Sequence, residues 1–310
     1  MPRTFPLSVI DFATIYPEQS AHDAIVTSVA LAQRAEEHGF NRIWYAEHHN
    51  AADRASSVPS LLIAHVGAQT STIRLGAGGV MLPNHAPYAV AEQFGTLAEM
   101  YPGRIDLGLG RAPGTDAKTV GRALRRPFDA SDNFPQDVVE LNHYLKGSSQ
   151  IPGVQAYPGA GTNVPIYVLG SSMYGASLAA ALGLPYAFAS HFAGEHLQDA
   201  VNYYRENFRP SEDLAEPYVL AGVNVIAAGA EEAAQEKYQA VVSKRVRRLG
   251  PRGRATLRFA GVGTGDKAAA YLEDFAEQAR ADELLINFEG ATPEQARDSM
   301  DSFAPAWELP

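Results

Sequence analysis

No cysteine occurs among the 310 residues. Disulfides, thiolate nucleophiles, iron-sulfur clusters and cysteine zinc sites are excluded together, so catalysis must use histidine, carboxylate or a bound cofactor. Positive charge is scarce: 25 Lys and Arg against 35 Asp and Glu leave a net charge of −10. Without a basic stripe, nucleic acid and anionic membrane faces are poor partners, and a small-molecule substrate is expected. No stretch reaches the roughly 18 apolar residues of a membrane span. The start, Met1-Pro2-Arg3-Thr4-Phe5-Pro6, lacks the basic-then-apolar layout of a secretion signal. A cytoplasmic location is the expectation. Internal repeats and low-complexity tracts are missing as well.

What the chain does have is rhythm. Hydrophobic residues make up 46% of it, ample for a sizeable core, and strand-like runs alternate with helix-like ones over short connections. Strands are predicted at Phe5 to Ile15, Arg42 to Ala46, Ile73 to Leu82, Ile105 to Leu109, Pro165 to Gly170, Tyr186 to Ser190, Tyr218 to Ala227 and Glu283 to Phe288. Helices are predicted at Glu18 to His38, from Pro59 onward, and at Tyr88 to Tyr101, Phe134 to Lys146, Tyr174 to Leu182, Gly194 to Phe208, Glu231 to Leu249, Asp266 to Arg280 and Pro293 to Ala304. Gly39 sits where a left-handed residue closes the first helix, and Pro59 suits a first helical turn. The stretch from Leu249 to Gly265 reads as irregular. Eight β-α units without a linker favour one (β/α)8 barrel domain over residues 1–310, with insertions after the fourth and seventh strands. A doubly wound sheet is the runner-up.

Parallel α/β sheets keep their chemistry at the carboxyl ends of the strands. Two ends are unusually rich. Ile43-Trp44-Tyr45-Ala46-Glu47-His48-His49-Asn50 supplies an acid-base group, and because neighbouring side chains diverge at a strand end, one of the two histidines faces the pocket. The bland alternative is a packed histidine beside a surface one. A metal site is not expected, for want of a His-x-His on the first strand or a His at helical spacing with a nearby Glu. Arg104-Ile105-Asp106-Leu107-Gly108-Leu109-Gly110-Arg111-Ala112-Pro113-Gly114 has the wrong spacing for a dinucleotide fingerprint, but its glycines allow close approach to the backbone while Arg111 reaches a phosphate.

Two further segments fit the same picture. Val168-Leu169-Gly170-Ser171-Ser172-Met173-Tyr174-Gly175-Ala176 runs a strand into a helix start, whose free N–H groups can cradle an anion; a plain serine N-cap is the alternative. Gly76-Ala77-Gly78-Gly79-Val80 places glycines inside a strand, which marks a bulge, an unusual peptide or the close approach of a flat ligand. The basic run Lys244, Arg245, Arg247, Arg248, Arg252 and Arg254 reads most simply as a solvated helix end, with a mobile flap over the pocket as the alternative.

Together, Glu47-His48-His49, Gly76 to Pro83, Gly103-Arg104 through Arg111 and Gly183-Leu184-Pro185 resemble the bacterial luciferase-like monooxygenases, and the resemblance runs from the first strand to the last helix. It implies a flavin-dependent enzyme on a (β/α)8 barrel. By the same resemblance His48 takes the catalytic position, assisting the reaction of reduced flavin with oxygen. Arg111 takes the FMN phosphate, with Ser172 and the amides of Tyr174 and Gly175. Gly78 and Gly79 share a non-prolyl cis bond under the flavin ring. Gly110 stands where true luciferases carry a cysteine, and Asn84-His85-Ala86-Pro87 departs from their pattern. The resemblance therefore implies a single-chain oxidoreductase rather than a light emitter.

The resulting expectation is an FMN-dependent monooxygenase that receives reduced flavin from a separate NAD(P)H flavin reductase, acts on a small organic substrate and pairs as a homodimer. An F420-dependent dehydrogenase in the same pocket, a flavin-binding protein without turnover and, more distantly, a metal-dependent hydrolase are the rivals.

Overall fold

The computed structural model describes residues 5–127 and 129–307. The amino-terminal reading over Met1 to Thr4 lies outside them. Among the described residues nine parallel strands are present: β1 (Leu7–Asp11), β2 (Arg42–Tyr45), β3 (Arg74–Met81), β4 (Ile105–Gly110), β5 (Ile166–Gly170), β6 (Tyr186–Phe188), β7 (Val219–Ala227), β8 (Ala260–Gly263) and β9 (Glu283–Phe288). Strands β1 to β7 pair in order, β7 pairs with β9, and β9 pairs back onto β1, so eight strands close into a (β/α)8 barrel. The eight strands read from the sequence are those eight.

The additional strand was not legible. β8 hydrogen-bonds only to the second half of β7, from Asn224 opposite Ala260 to Ala227 opposite Gly263, beyond the part of β7 that pairs with β6. Ala260-Gly261-Val262-Gly263 has weak strand propensity, and it is extended because β7 overhangs the ring and offers a free edge. The sequence expectation of an irregular stretch there is corrected, since it also contains a short helix after the seventh long one.

Helices fill the outside: α1 (Ala21–Glu37), α2 (Pro59–Gly67), α3 (Pro87–Met100), α4 (Phe134–Lys146), α5 (Met173–Leu182), α6 (Leu197–Asn207), α7 (Glu231–Leu249), α8 (Arg252–Ala255), α9 (Gly265–Ala279) and α10 (Pro293–Phe303). Helix α1 starts three residues later than expected because Ser20 caps it: its hydroxyl accepts from the Asp23 N–H while the Asp23 carboxylate accepts from the Ser20 N–H. Gly39 has φ +79°, the expected left-handed stop. Strand β1 is shorter than expected. Asp11 Oδ1 accepts from the Ala13 N–H at 2.8 Å and Ala13 has φ +42°, so the chain leaves the barrel at Asp11 and folds over its mouth. Among the described residues no helix is long and apolar enough to cross a membrane.

Most of the apolar core lies between the strands and the helices. A smaller cluster, Ile10, Trp44, Tyr167, Ala187, Leu220 and Leu285, fills the barrel interior. Below it, at the amino-terminal ends of the strands, Arg42 donates to Glu283 Oε1 at 2.9 Å, to Asp106 Oδ2 at 2.8 Å and to the Tyr167 hydroxyl at 2.7 Å. Trp44 Nε1 donates to Asp106 and the Tyr218 hydroxyl to Glu283, while Ser8 and Arg74 complete the two carboxylates. Burial works against the Arg42 charge, but Asp106 and Glu283 outweigh it and keep the guanidinium firmly ionised.

Candidate active site

The carboxyl ends of the strands surround a pocket of about 840 Å³, within the range of small-molecule sites. His48, Gly78, Arg111, Ser172, Tyr174 and Gly175 all line it. Gly79 does not reach the lining; its place is tight against β4, where a Cβ would come 2.8 Å from the Gly108 carbonyl oxygen. The peptide between Gly78 and Gly79 is cis. The pairing of β3 with β4 shifts register between Ala77 and Val80, the irregularity that glycines inside a strand announce.

One corner of the pocket gathers the groups expected to hold an anion. Arg111, just past β4, rests its guanidinium 4.1 Å from the centre of the Tyr174 ring and has no carboxylate partner among the described residues. Ser172 is the N-cap of α5 in an extended conformation, yet its side chain makes no capping bond, so the first amides of the helix stay open. Ser172 thus holds the N-cap position of the plain alternative without making its side-chain bond. The Tyr186 hydroxyl donates to the Ser172 carbonyl at 3.1 Å and fixes the corner from below. Charge, open amides and a free hydroxyl converge as a phosphate requires.

Across the pocket stand two histidines. His48 follows β2 and His191 follows β6, and both rings pack on Phe12, at centroid distances of 6.0 Å and 5.7 Å. Nδ1 of each is buried without a hydrogen-bond partner. Burial, reinforced by the Arg54 and Arg248 charges, holds His48 down to about 4; burial and Arg245 hold His191 down to about 3. At neutral pH His48 is therefore a neutral imidazole that can accept a proton or donate a hydrogen bond. Sequence reasoning passed over His191, although Phe188-Ala189-Ser190-His191 has the same strand-end signature that exposed His48.

His49 turns the other way, as strand geometry requires. It is not a surface residue. Its Nε2 lies 2.7 Å from Glu47 Oε1, and the His85 Nε2 reaches the same oxygen at 2.8 Å. The Met81 N–H donates to Glu47 Oε2 at 3.1 Å. Although burial opposes it, these donors hold the Glu47 carboxyl down to about 2. Glu47, His49 and His85 place three ligand-type atoms within 4.8 Å of one another, a grouping the motif search missed because His85 comes from the turn after β3. Both imidazoles are already hydrogen-bonded to the carboxylate, and the group ties that turn to the end of β2.

The basic run is helical. Its first half is the end of α7, where Lys244, Arg245 and Arg248 line the pocket, and its second half is α8, packed so that Gly253 abuts the Arg245 carbonyl. The solvated-helix expectation holds for the exposed Arg247, Arg252 and Arg254, and Arg248 is exposed as well while also lining the pocket.

Comparison with known proteins agrees with this geometry. Residues 7–306 match the model of the luciferase-like monooxygenases. The chain belongs to that family. A luciferase-like monooxygenase of Escherichia coli is 50% identical over 234 residues, 75% of this chain and 70% of the relative. The N-acetyl-S-alkylcysteine monooxygenase of Bacillus subtilis is 34% identical over 87% of this chain and 80% of its own length. The crystal structure of apo-MsnO8 superposes with a TM-score of 0.89 at 30% identity, covering 99% of both chains. More distant structures share the fold: a Baeyer-Villiger monooxygenase component in complex with FMN (TM-score 0.77, 15% identity) and an F420-dependent secondary alcohol dehydrogenase (TM-score 0.71, 16% identity).

Proposed function

We propose that the protein is an FMN-dependent monooxygenase that takes reduced flavin from a separate NAD(P)H flavin reductase and oxygenates a small organic substrate, as a homodimer of single-domain chains. The observation that carries the proposal is the anion corner, where Arg111 lacks a carboxylate and Ser172 leaves the α5 amides open, opposite a neutral, unpartnered His48. FMN, when bound, supplies the oxygen chemistry. The chain's own residues do the rest. Arg111, Ser172 and the amides of Tyr174 and Gly175 hold the phosphate, Gly78 presents backbone without a side chain, and Gly79 lets β3 lie against β4. His48, through Nδ1, takes and returns a proton; Phe12 shields it from water. Two structures that share this fold are an FMN complex and an F420-dependent enzyme, and the corner suits the phosphate of either cofactor.

Fluorescence and absorbance titration of the purified protein with FMN, riboflavin and F420 separates these cases. A hydrogen bond to a charged group contributes about 1.5–3 kcal/mol, so Arg111→Ala is expected to weaken FMN binding roughly 10- to 150-fold, and riboflavin is expected to bind poorly to the wild type. Equal affinity for FMN and riboflavin overturns the phosphate assignment. Tight binding of F420 with weak binding of FMN replaces the monooxygenase by a dehydrogenase.

A further inference from the structure

The wall facing the anion corner is cationic, in a chain whose net charge is −10. Arg54, on the loop after β2, and Lys244, Arg245 and Arg248, on the last turns of α7, line it. Arg245 is fully engaged, by Glu289, the Asn224 side chain and Thr256. The other three are not. Arg54 and Arg248 share a single carboxylate, Asp53, at 3.3 Å and 3.1 Å. Arg54 lies 5.7 Å over the Phe12 ring and spends Nη1 on Thr14 and the Asp53 carbonyl, while its Nε is buried with no partner. Lys244 Nζ sits 3.9 Å from the Tyr16 ring centre and 3.3 Å from the Gly290 carbonyl, and burial holds it down to about 8. Asp53 is the one carboxylate in direct contact with these three cations, and Glu289, whose charge also acts on Lys244 and Arg54, is already bound by Arg245; partly removed from water, the cations repel one another and destabilise the free protein. An anionic partner removes that repulsion.

We infer that the pocket takes its organic substrate as an anion, with a carboxylate or sulfonate group seated between Arg54 and Arg248 beside Lys244, and its apolar part along Phe12 and Tyr16 toward His48. The inference rests on the proposed monooxygenase function and names the substrate class that function takes. The two anion sites are separate: the phosphate corner belongs to β4 and β5, the substrate site to the loops after β1 and β2 and to α7. Selectivity against neutral analogues follows from the same groups, because an ester or amide in this place leaves the repulsion between the cations unrelieved.

Isothermal titration calorimetry of the protein presaturated with FMN, using hexanoate, hexanesulfonate and neutral hexanamide as probes, tests this. Both anions are expected to bind at least 10-fold more tightly than hexanamide. Arg248→Gln, on an exposed helix end, and Arg54→Gln are each expected to weaken the anions roughly 10-fold or more and to leave hexanamide unchanged. Circular dichroism checks that each variant is folded, and if Arg54→Gln is not, Arg248→Gln decides. Equal binding of hexanoate and hexanamide, no binding of either anion, or anion binding lost in Arg111→Ala but kept in Arg248→Gln overturns the inference. Failure of FMN to bind in the separate flavin titration overturns the cofactor proposal instead, and the same anion titration on the flavin-free protein still tests the cationic wall.

Discussion

The two ends of the barrel both contain charged and polar groups out of water, and they treat them in opposite ways. At the amino-terminal end every arm of Arg42 has a partner, and Asp106 and Glu283 are each held by several donors. At the carboxyl end His48 Nδ1, His191 Nδ1 and Arg54 Nε have none, and Arg111 faces the pocket without a carboxylate. Burying a polar group without a partner costs about 1–3 kcal/mol, and a fold can carry that cost where a ligand later completes the bonds. The closed network holds the barrel together, and the open groups mark where the chemistry takes place.

If the open groups serve chemistry, removing one should leave the fold and abolish turnover. His48→Ala is expected to keep FMN affinity within a few-fold and to lose about 10²–10⁴-fold in substrate oxygenation, with reduced flavin releasing hydrogen peroxide instead. Oxygen consumption measured with and without catalase separates the two outcomes. At the closed end the expectation inverts. Arg42→Ala strands two buried carboxylates and should lower stability by about 3–5 kcal/mol in urea unfolding, whatever its activity.

Acid should expose the same asymmetry. The folded values of His48 and His191 lie below the ordinary histidine value, so the unfolded chain binds more protons below about pH 6.5, and stability is lost as pH falls from there toward about 4 for His48 and 3 for His191. Between pH 7 and pH 5 the loss should be about 2–4 kcal/mol by urea unfolding, and His48→Asn should remove part of it. Glu47, held down to about 2, adds its own loss only as pH falls below about 4.5. A flat stability profile from pH 7 to pH 5 would mean that the two imidazoles are less buried than their surroundings indicate.

Much of this was legible in the sequence because it is local. The eight ring strands, α4 and α7 follow from hydrophobic runs and turn residues, and His48, Arg111 and Ser172 from their places at strand ends. What was not legible depends on distant pairing. β8 exists because β7 overhangs the ring; the Glu47 network needs His85 from the turn after β3; the cationic wall joins Arg54 to the end of α7, about two hundred residues apart in the chain. The depressed His48 value comes from burial by that assembly, which no neighbouring residue in the sequence reveals.

The claim that the two ends divide structure from ligand binding is tested most directly by thermal unfolding of wild type, Tyr167→Phe and Arg111→Ala, each with and without FMN near 100 times its Kd for the wild type. Tyr167→Phe removes one bond of the closed network, whereas Arg111→Ala removes a group with no ion pair. FMN should stabilise the wild type by about 2.7 kcal/mol. The account predicts that Tyr167→Phe lowers the unfolding midpoint without FMN and keeps the FMN-induced rise, while Arg111→Ala keeps the midpoint and loses about half of the rise or more. The reverse pattern, with the FMN effect lost in Tyr167→Phe and retained in Arg111→Ala, would contradict it.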